Sequence, residues 1–206
     1  MTHKIRSYRA DDLDALYAIT LATGDMGEDA SHLYADGKLL GNIYSAPYAM
    51  LMPKYSFVVE DDEGVAGFVV GVPDTLEWSD LLEREWWPSL REQLEDPSHI
   101  PPNQRTEDQR RAYMIHYPDN PPQTVTKLFP AHIHMNLHER VQGAGLGRKL
   151  LSRWLDNAAK KGVESVHIGA NRSNHRAVGF WQKQGFDEIK IPASEVSRTI
   201  WMGRSV

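Results

Sequence analysis

Between residues 131 and 159 the hydrophobic pattern changes period across a glycine-rich turn, and that junction limits the possible folds more than any other stretch. In Ala131-His132-Ile133-His134-Met135-Asn136-Leu137, the apolar residues Ile133, Met135 and Leu137 recur every second position, which reads as a half-buried strand. Further on, Leu150, Leu151, Trp154, Leu155, Ala158 and Ala159 mark one face of a helix that stops before Gly162. Between them runs Gln142-Gly143-Ala144-Gly145-Leu146-Gly147-Arg148. Glycines there let backbone N–H groups converge on an anion at the start of a helix, where free donors and the dipole carry roughly half a positive charge. A plain strand-to-helix turn accounts for the same three glycines. The spacing G-x-G-x-G is not the dinucleotide fingerprint G-x-G-x-x-G, and the Lys-Ser/Thr pair of a P-loop is absent.

A second string follows: Asn174-His175-Arg176-Ala177-Val178-Gly179-Phe180-Trp181-Gln182-Lys183-Gln184-Gly185-Phe186. Gln142, Gly145 and Gly147 match Q/R-x-x-G-x-G/A, and the second string is similar to N-x-x-A-x-x-F-Y followed by glycine and Phe. In that order, with a helix and a strand between, the chain resembles the GNAT acetyltransferases over roughly residues 131 to 190. Phe129-Pro130 and Gly203-Arg204-Ser205 further resemble the acetyltransferase-like C-terminal domain of O-GlcNAcase and its free-standing bacterial relatives. The resemblance implies an α/β (α+β) fold with a mixed, mostly antiparallel central sheet flanked by helices. It also implies acetyl-CoA (coenzyme A) as cosubstrate and a homodimer as the quaternary expectation.

The chain has 206 residues, 41% hydrophobic and 25% charged, ordinary for one domain with a sizeable core, so a single domain over 1–206 is expected. It has no cysteine, which excludes disulfides, thiolate metal sites and a cysteine nucleophile, and fits a reducing compartment. Cytoplasm is the simple expectation. The start, Met1-Thr2-His3-Lys4-Ile5-Arg6, has no apolar run after its charges, and no run approaches the roughly 20 residues that span a bilayer. A net charge of −5 gives no general attraction to nucleic acid and mildly favours a cationic substrate such as an amine.

Lys4 to Arg9 reads as a first strand, followed by a helix with an acidic first turn and a face of Leu13, Leu16, Tyr17 and Thr20. Residues 23 to 54 read as a loop with a short helix, whose tyrosines are read mainly as packing residues. Tyr55–Glu60 and Val65–Val72 form a hairpin around Asp61-Asp62-Glu63-Gly64. Nine of the 12 prolines and three of the six tryptophans fall between Pro73 and Pro130. This stretch is too apolar for a linker and too broken for one helix. It reads as a helical insertion, about 74–130, between the third and fourth strands. Leu81, Leu82, Glu85, Trp86 and Leu90 give one helical face, Thr106 to His116 a second, and Thr124-Val125-Thr126 a loop into the central strand. Trp78, Trp86 and Trp87 read as glue between insertion and core rather than as a substrate wall. Val163–Ile168 is the next strand, Asn174–Gln184 a helix stopped by Gly185, and Phe186–Ile191 with Arg198–Trp201 a last antiparallel pair.

The motifs imply a cofactor set. The backbone of Gly143, Ala144, Gly145, Leu146, Gly147 and Arg148 would hold the pyrophosphate, assisted by the Gln142 side chain and the Arg148 charge. The main chain at Leu137 and His138 would pair with the pantetheine arm like an added strand. Asn174 would reach the cofactor from the other side, and the same residue type also suits a helix N-cap. The Glu that the family often places on the central strand is missing here. His134 or His132 can accept an amine proton near neutral pH, and His134 is the candidate base. Trp181 completes the cofactor-binding set at the position of the family tyrosine that protonates the departing thiolate, although its indole N–H has no accessible acid pKa. A metal site at His132, His134 and His138 lacks supporting carboxylates. The expected function is acetyl transfer to a small-molecule or peptide amine. The rival is an acyl-CoA-binding pseudo-acetyltransferase acting as a sensor or interaction module.

Overall fold

β1 (Lys4–Ser7) runs through a 3₁₀ turn into α1 (Leu13–Ala22), and one buried carboxylate holds that corner together. The computed structural model describes residues 2–206; Met1 lies outside them. Arg6 forks onto Asp12 at 2.7 and 2.8 Å and reaches Glu60 at 2.6 Å, while Asp12 also accepts from the Arg9 N–H at 2.7 Å. Burial works to raise the Asp12 pKa, but the Arg6 hydrogen bonds win and hold it below the usual value. One of the acidic residues assigned to the helix dipole is therefore a buried tie between α1 and the sheet.

Residues 23 to 54 contain two short helices, α2 (Leu39–Tyr44) and α3 (Ala46–Leu51), where one was expected. The hairpin forms as read, β2 (Phe57–Asp61) against β3 (Gly64–Val72). Four helices then connect β3 to β4: α4 (Thr75–Glu85), α5 (Trp87–Gln93), α6 (Glu107–His116) and α7 (Gln123–Leu128). The single helical face read across Leu81 to Leu90 breaks at Trp86, because Pro88 has no N–H to continue the α4 ladder and suits the first turn of α5. α7 replaces the loop expected at Thr124-Val125-Thr126, burying Val125 and Thr126. Trp78 and Trp87 are buried and Trp86 donates to the Asn42 carbonyl at 2.9 Å, so these tryptophans do join the segment to the core.

β4 (Ala131–Leu137), α8 (Leu146–Ala159), β5 (Ser165–Asn171), α9 (His175–Lys183), β6 (Asp187–Glu188) and β7 (Thr199–Ser205) complete the chain. The sheet has seven strands in the order β1-β2-β3-β4-β5-β7-β6. Every neighbouring pair is antiparallel except β4 and β5. One face packs on α8 and α9 around Trp154, Leu150 and Phe186; the other packs on α1 to α6 around Phe68, Leu16 and Trp78. β4 is thus covered on both sides at its start, with Ala131 and Ile133 toward α8 and His132 beneath Tyr48. That replaces the half-buried strand expected from the alternation. Among the described residues no helix is long and apolar enough to cross a membrane.

The two sequence features that pointed to the O-GlcNAcase-like group touch each other. Phe129 lies flat over Gly203, so a Cβ at 203 would sit 2.7 to 2.8 Å from three ring carbons. Gly203→Ala is expected to lower stability by about 1–3 kcal/mol through overpacking, read as a lower urea midpoint with an unchanged slope. Adding Phe129→Leu should restore part of the loss if ring contact is the cause.

Candidate functional site

β4 and β5 share only the pairs Ala131–Val166 and His132–His167 and then diverge. β4 stays fully paired with β3 through Leu137, and the His138 N–H donates to the Ala66 carbonyl at 2.8 Å. Since peptide groups alternate sides along an antiparallel ladder, those of His134, Asn136 and His138 face β3. Those of Met135 and Leu137 face the gap. The free edge therefore begins at Met135. His138 itself is committed to β3, and its Nδ1 accepts weakly from the Arg140 N–H at 3.4 Å.

At the mouth of the gap lies the glycine turn. Gly143 and Gly145 have φ of 76° and 73°, in the left-handed region that other residues adopt only at a cost, and open space surrounds both. From Gly143 to Arg148, six consecutive backbone N–H groups find no acceptor among the described residues; the first bond of α8 is Lys149 N–H to the Gly145 carbonyl at 3.2 Å. Gly147 plays another part: a Cβ there would sit 3.2–3.3 Å from the Phe180 and Leu137 side chains, so its absence lets α8 pack closely on them. The Gln142 side chain is turned inward, donating to the Leu137 carbonyl at 2.8 Å, and so fixes the turn to the end of β4. Beside Arg148 a groove of about 720 Å³ runs along α8 past Ser152, Lys183 and Arg204. It includes none of the histidines.

Asn174 caps α9, accepting from the Ala177 N–H at 3.0 Å, and donates to the Met26 carbonyl at 3.0 Å. Arg176 adds a 3.4 Å bond to the Gly27 carbonyl and a loose 3.8 Å pairing with Glu28. The turn from 24 to 28 is anchored at its other end on β4, where Asn136 donates to Thr23 at 2.7 Å. It therefore spans the divergence of β4 and β5. Trp181 is 7% exposed and packs against Phe180 and Phe186, ring centroids 5.1 and 5.0 Å away.

Across β4 from α8, the strand presents His132 and His134 on one face, as the H-x-H spacing requires. Tyr48 lies between them, its hydroxyl 2.7 Å from His132 Nε2 and 3.2 Å from His134 Nε2. The directions follow from one fixed end. Thr75 Oγ1 donates to the Pro130 carbonyl at 2.7 Å, so it accepts from His132 Nδ1–H at 2.7 Å. His132 Nε2 then accepts from the Tyr48 hydroxyl, and Tyr48 accepts from His134 Nε2–H. The network so assigns both tautomers and leaves the His134 Nδ1 lone pair without a partner. His167, 5.6 Å from His132 by ring centroid, donates from Nδ1 to the Phe129 carbonyl at 2.6 Å.

Burial disfavours the imidazolium form of all three. It pushes His134 and His167 down to about 4, with His167 adding to the effect on His134, and His132 well below the ordinary value. Burial also raises the Tyr48 phenol far above its usual value, and it raises the Tyr44 phenol as well. Tyr44 packs edge-on to His134 with centroids 5.4 Å apart. Tyr44, Tyr48, Thr75 and His167 were not singled out by sequence reasoning. The clue available was the tyrosines between residues 23 and 54, read as packing. Among the described residues no cluster of His, Cys, Asp and Glu could hold a metal ion.

A sheet opened along one parallel pair, with a row of free amides at its mouth and a histidine at its side, defines an α/β fold of the acetyltransferase type. The model of the Acetyltransferase (GNAT) family matches residues 32–186, and the chain belongs to that family. The crystal structure of SsHAT is similar over the whole chain and 98% of its own, with 30% identity and a TM-score of 0.89. A putative acetyltransferase from Salmonella typhimurium, solved with its cofactor acetyl-CoA, shares the fold at TM-score 0.56 and 17% identity, over 100% of this chain and 94% of that one. Protein O-GlcNAcase from Rattus norvegicus is 23% identical over 99% of the chain, and the chain spans 22% of that protein's length.

Removing the Tyr48 hydroxyl by Tyr48→Phe strands His134 Nε2–H and His132 Nε2, and is expected to cost about 1–3 kcal/mol in denaturant titration. Imidazole nitrogen shifts should place the proton on Nδ1 of His132 and on Nε2 of His134. Between pH 6.5 and about 4 the unfolded chain binds protons that folded His134 and His167 refuse. Stability should therefore fall as pH drops through that window, beginning above the carboxylate range. His134→Gln should flatten the slope of melting temperature against pH.

Proposed function

We propose that this chain transfers an acetyl group from acetyl-coenzyme A to the nitrogen of a small-molecule or peptide amine, working in the cytoplasm. The observation that carries the reading is the run of six unpartnered amides beside the free edge of β4. Such amides suit a pyrophosphate, with the Arg148 charge next to them. The edge at Met135 and the Leu137 N–H suits the peptide-like amides of a pantetheine arm, the Leu137 carbonyl being shared with Gln142. Asn174 holds the mouth through its tie to Met26, and Gln142 orients the turn.

When bound, the cosubstrate supplies an acyl group activated as a thioester. The chain's own residues position the amine and move its proton. His134, neutral at pH 7, offers its Nδ1 lone pair to that proton while its Nε2–H remains bonded to Tyr48. A base this weak does not strip a free alkylammonium ion, so the amine arrives neutral, and His134 takes the proton released as nitrogen forms its new bond.

Coenzyme A should raise the melting temperature of the purified protein, and thioester consumption should depend on an added amine. His134→Gln is expected to lower kcat about 100-fold while leaving the thermal shift intact. The rate should rise with pH along the ionisation of the amine, with no limb from His134 above pH 5. No shift with coenzyme A would overturn the reading. A shift without amine-dependent turnover would favour the acyl-CoA-binding sensor, a reading supported by Ala131 standing where a carboxylate is often found and by Trp181 being locked into the core.

A further inference from the structure

Arg111 departs from the pattern of the other inward-held arginines. Arg6 pairs with Asp12 and Glu60, Arg140 with Asp61, and Arg91 with Glu83, all through hydrogen bonds of 2.6 to 2.9 Å. Arg111 is only partly exposed on α6, yet among the described residues no carboxylate lies within ion-pair distance of it. Its contacts are neutral: Nε donates to the Tyr34 hydroxyl at 3.0 Å, and Nη1 to the Tyr44 hydroxyl at 3.4 Å and to Met114 sulfur at 3.2 Å. The carboxylate that acts on it from further away, Glu107, is occupied by Arg110 at 3.2 Å. Nη2 donates to nothing, and it is absent from the atoms that are both buried and unpartnered, so it meets solvent.

Position gives this cation its meaning. Its guanidinium carbon lies 5.9 Å from the Tyr44 ring centroid, and that same ring lies 5.4 Å from the His134 ring. α6 is held to the neighbouring loop because the Asp108 carboxylate accepts from the Ala35 and Asp36 N–H groups at 3.1 and 3.0 Å, which keeps Tyr34 and Arg111 in register. A second unpaired cation comes from another element. Arg198 is exposed between β6 and β7, its carbonyl accepting from the Arg172 N–H at 2.8 Å; it makes no ion pair among the described residues, and its charge opposes the burial that raises the Tyr44 phenol. Arg111 is partly withdrawn from water and has no acid partner among the described residues, so an anion that reaches its solvent-facing Nη2 gains a charge-assisted hydrogen bond. A planar fork beside two phenol hydroxyls matches a carboxylate.

Resting on the acetyl-transfer reading, the geometry points to Arg111, assisted by Arg198, as the receptor for a carboxylate on the acceptor amine, so that the substrate class is amino acids or acid-bearing peptide amines. The amine end lies at His134 and the acid end at Arg111, with the Tyr44 ring between them. Arg111 acts by binding and orienting; it takes no part in proton transfer.

The test compares matched acceptors, β-alanine against propylamine and 4-aminobutyrate against butylamine. Calorimetric binding to the coenzyme A-loaded protein is read alongside kcat/KM for acetyl transfer. The acid-bearing member of each pair should bind at least about tenfold more tightly. Arg111→Met should erase that preference, Arg111→Lys should keep part of it, and Arg198→Ala should weaken it without touching the core. Coenzyme A affinity and melting temperature should hold in Arg198→Ala, which keeps the test valid if Arg111→Met unfolds. Equal binding of acid and neutral partners, binding of neither, or an equal loss for both in the variants would overturn the receptor. Selective binding of the acids without acetylated product would uphold the receptor and overturn the transfer reading instead.

Discussion

Two neighbouring strands that bond along only two residue pairs govern the arrangement of this molecule. β4 and β5 begin as an ordinary parallel pair at Ala131 and His132 and then part, and each part of the site is placed by that parting. The free edge of β4, the amide-lined turn that follows it and the start of α9 after β5 all face one wedge-shaped opening. The turn is exposed at Gly143, Ala144, Gly145 and Arg148, where water can satisfy the amides, so what the parted strands give up is packing rather than dry hydrogen bonds. The surrounding core offsets the loss: Trp154 is fully buried on one side, its indole N–H donating to the Tyr55 carbonyl at 3.0 Å, and Phe68 fills the other side.

The histidine network gains its character from the same strand. His132 and His134 sit where β4 is covered by α3 and α4, so neither is free to charge easily. Tyr48 and Thr75 give the chain of hydrogen bonds a single direction ending at the Pro130 carbonyl. A neutral, oriented imidazole results. Ala131, on the other face of β4, is fully buried against α8 and takes no part in this network. The overall negative charge suggested a cationic substrate, yet the Tyr44 ring that packs on His134 has the Arg111 guanidinium on it, with no carboxylate paired to that guanidinium among the described residues. Local unpaired charge says more about a ligand than the net charge of the whole chain.

The glycine turn and α8 were legible in the sequence because their causes are local: positive φ demands glycine, and an amphipathic helix writes its period in consecutive residues. The β2–β3 hairpin, the Gly185 stop and the Asn174 cap were legible for the same reason. Tyr48 and Thr75 were not, since they meet His132 across 84 and 57 residues and leave no periodic trace. α7 was masked by Pro118, Pro121 and Pro122 ahead of it, and the division between α4 and α5 by an apolar face that continues through the break. The inward turn of Gln142 and the tie from Asn174 to Met26 show a further limit. A motif residue identifies where a side chain begins, and its partner depends on what the rest of the chain brings there.

The turn from 24 to 28 carries a mechanical consequence. The opening works like a hinge whose pin is the pair His132–His167 and whose clasp is the short span from Thr23 to Asn174. The pin is buried between two packed layers. The clasp rests on one hydrogen bond from the Asn174 side chain to the carbonyl of Met26, a residue held at a φ of 52°, on the 3.4 Å bond from Arg176 to Gly27, and on an exposed Arg176–Glu28 pair worth under about 1 kcal/mol. Of the two, the clasp is therefore the weaker tie, and the pin, with His134 two residues further along β4, is the fixed end of the opening.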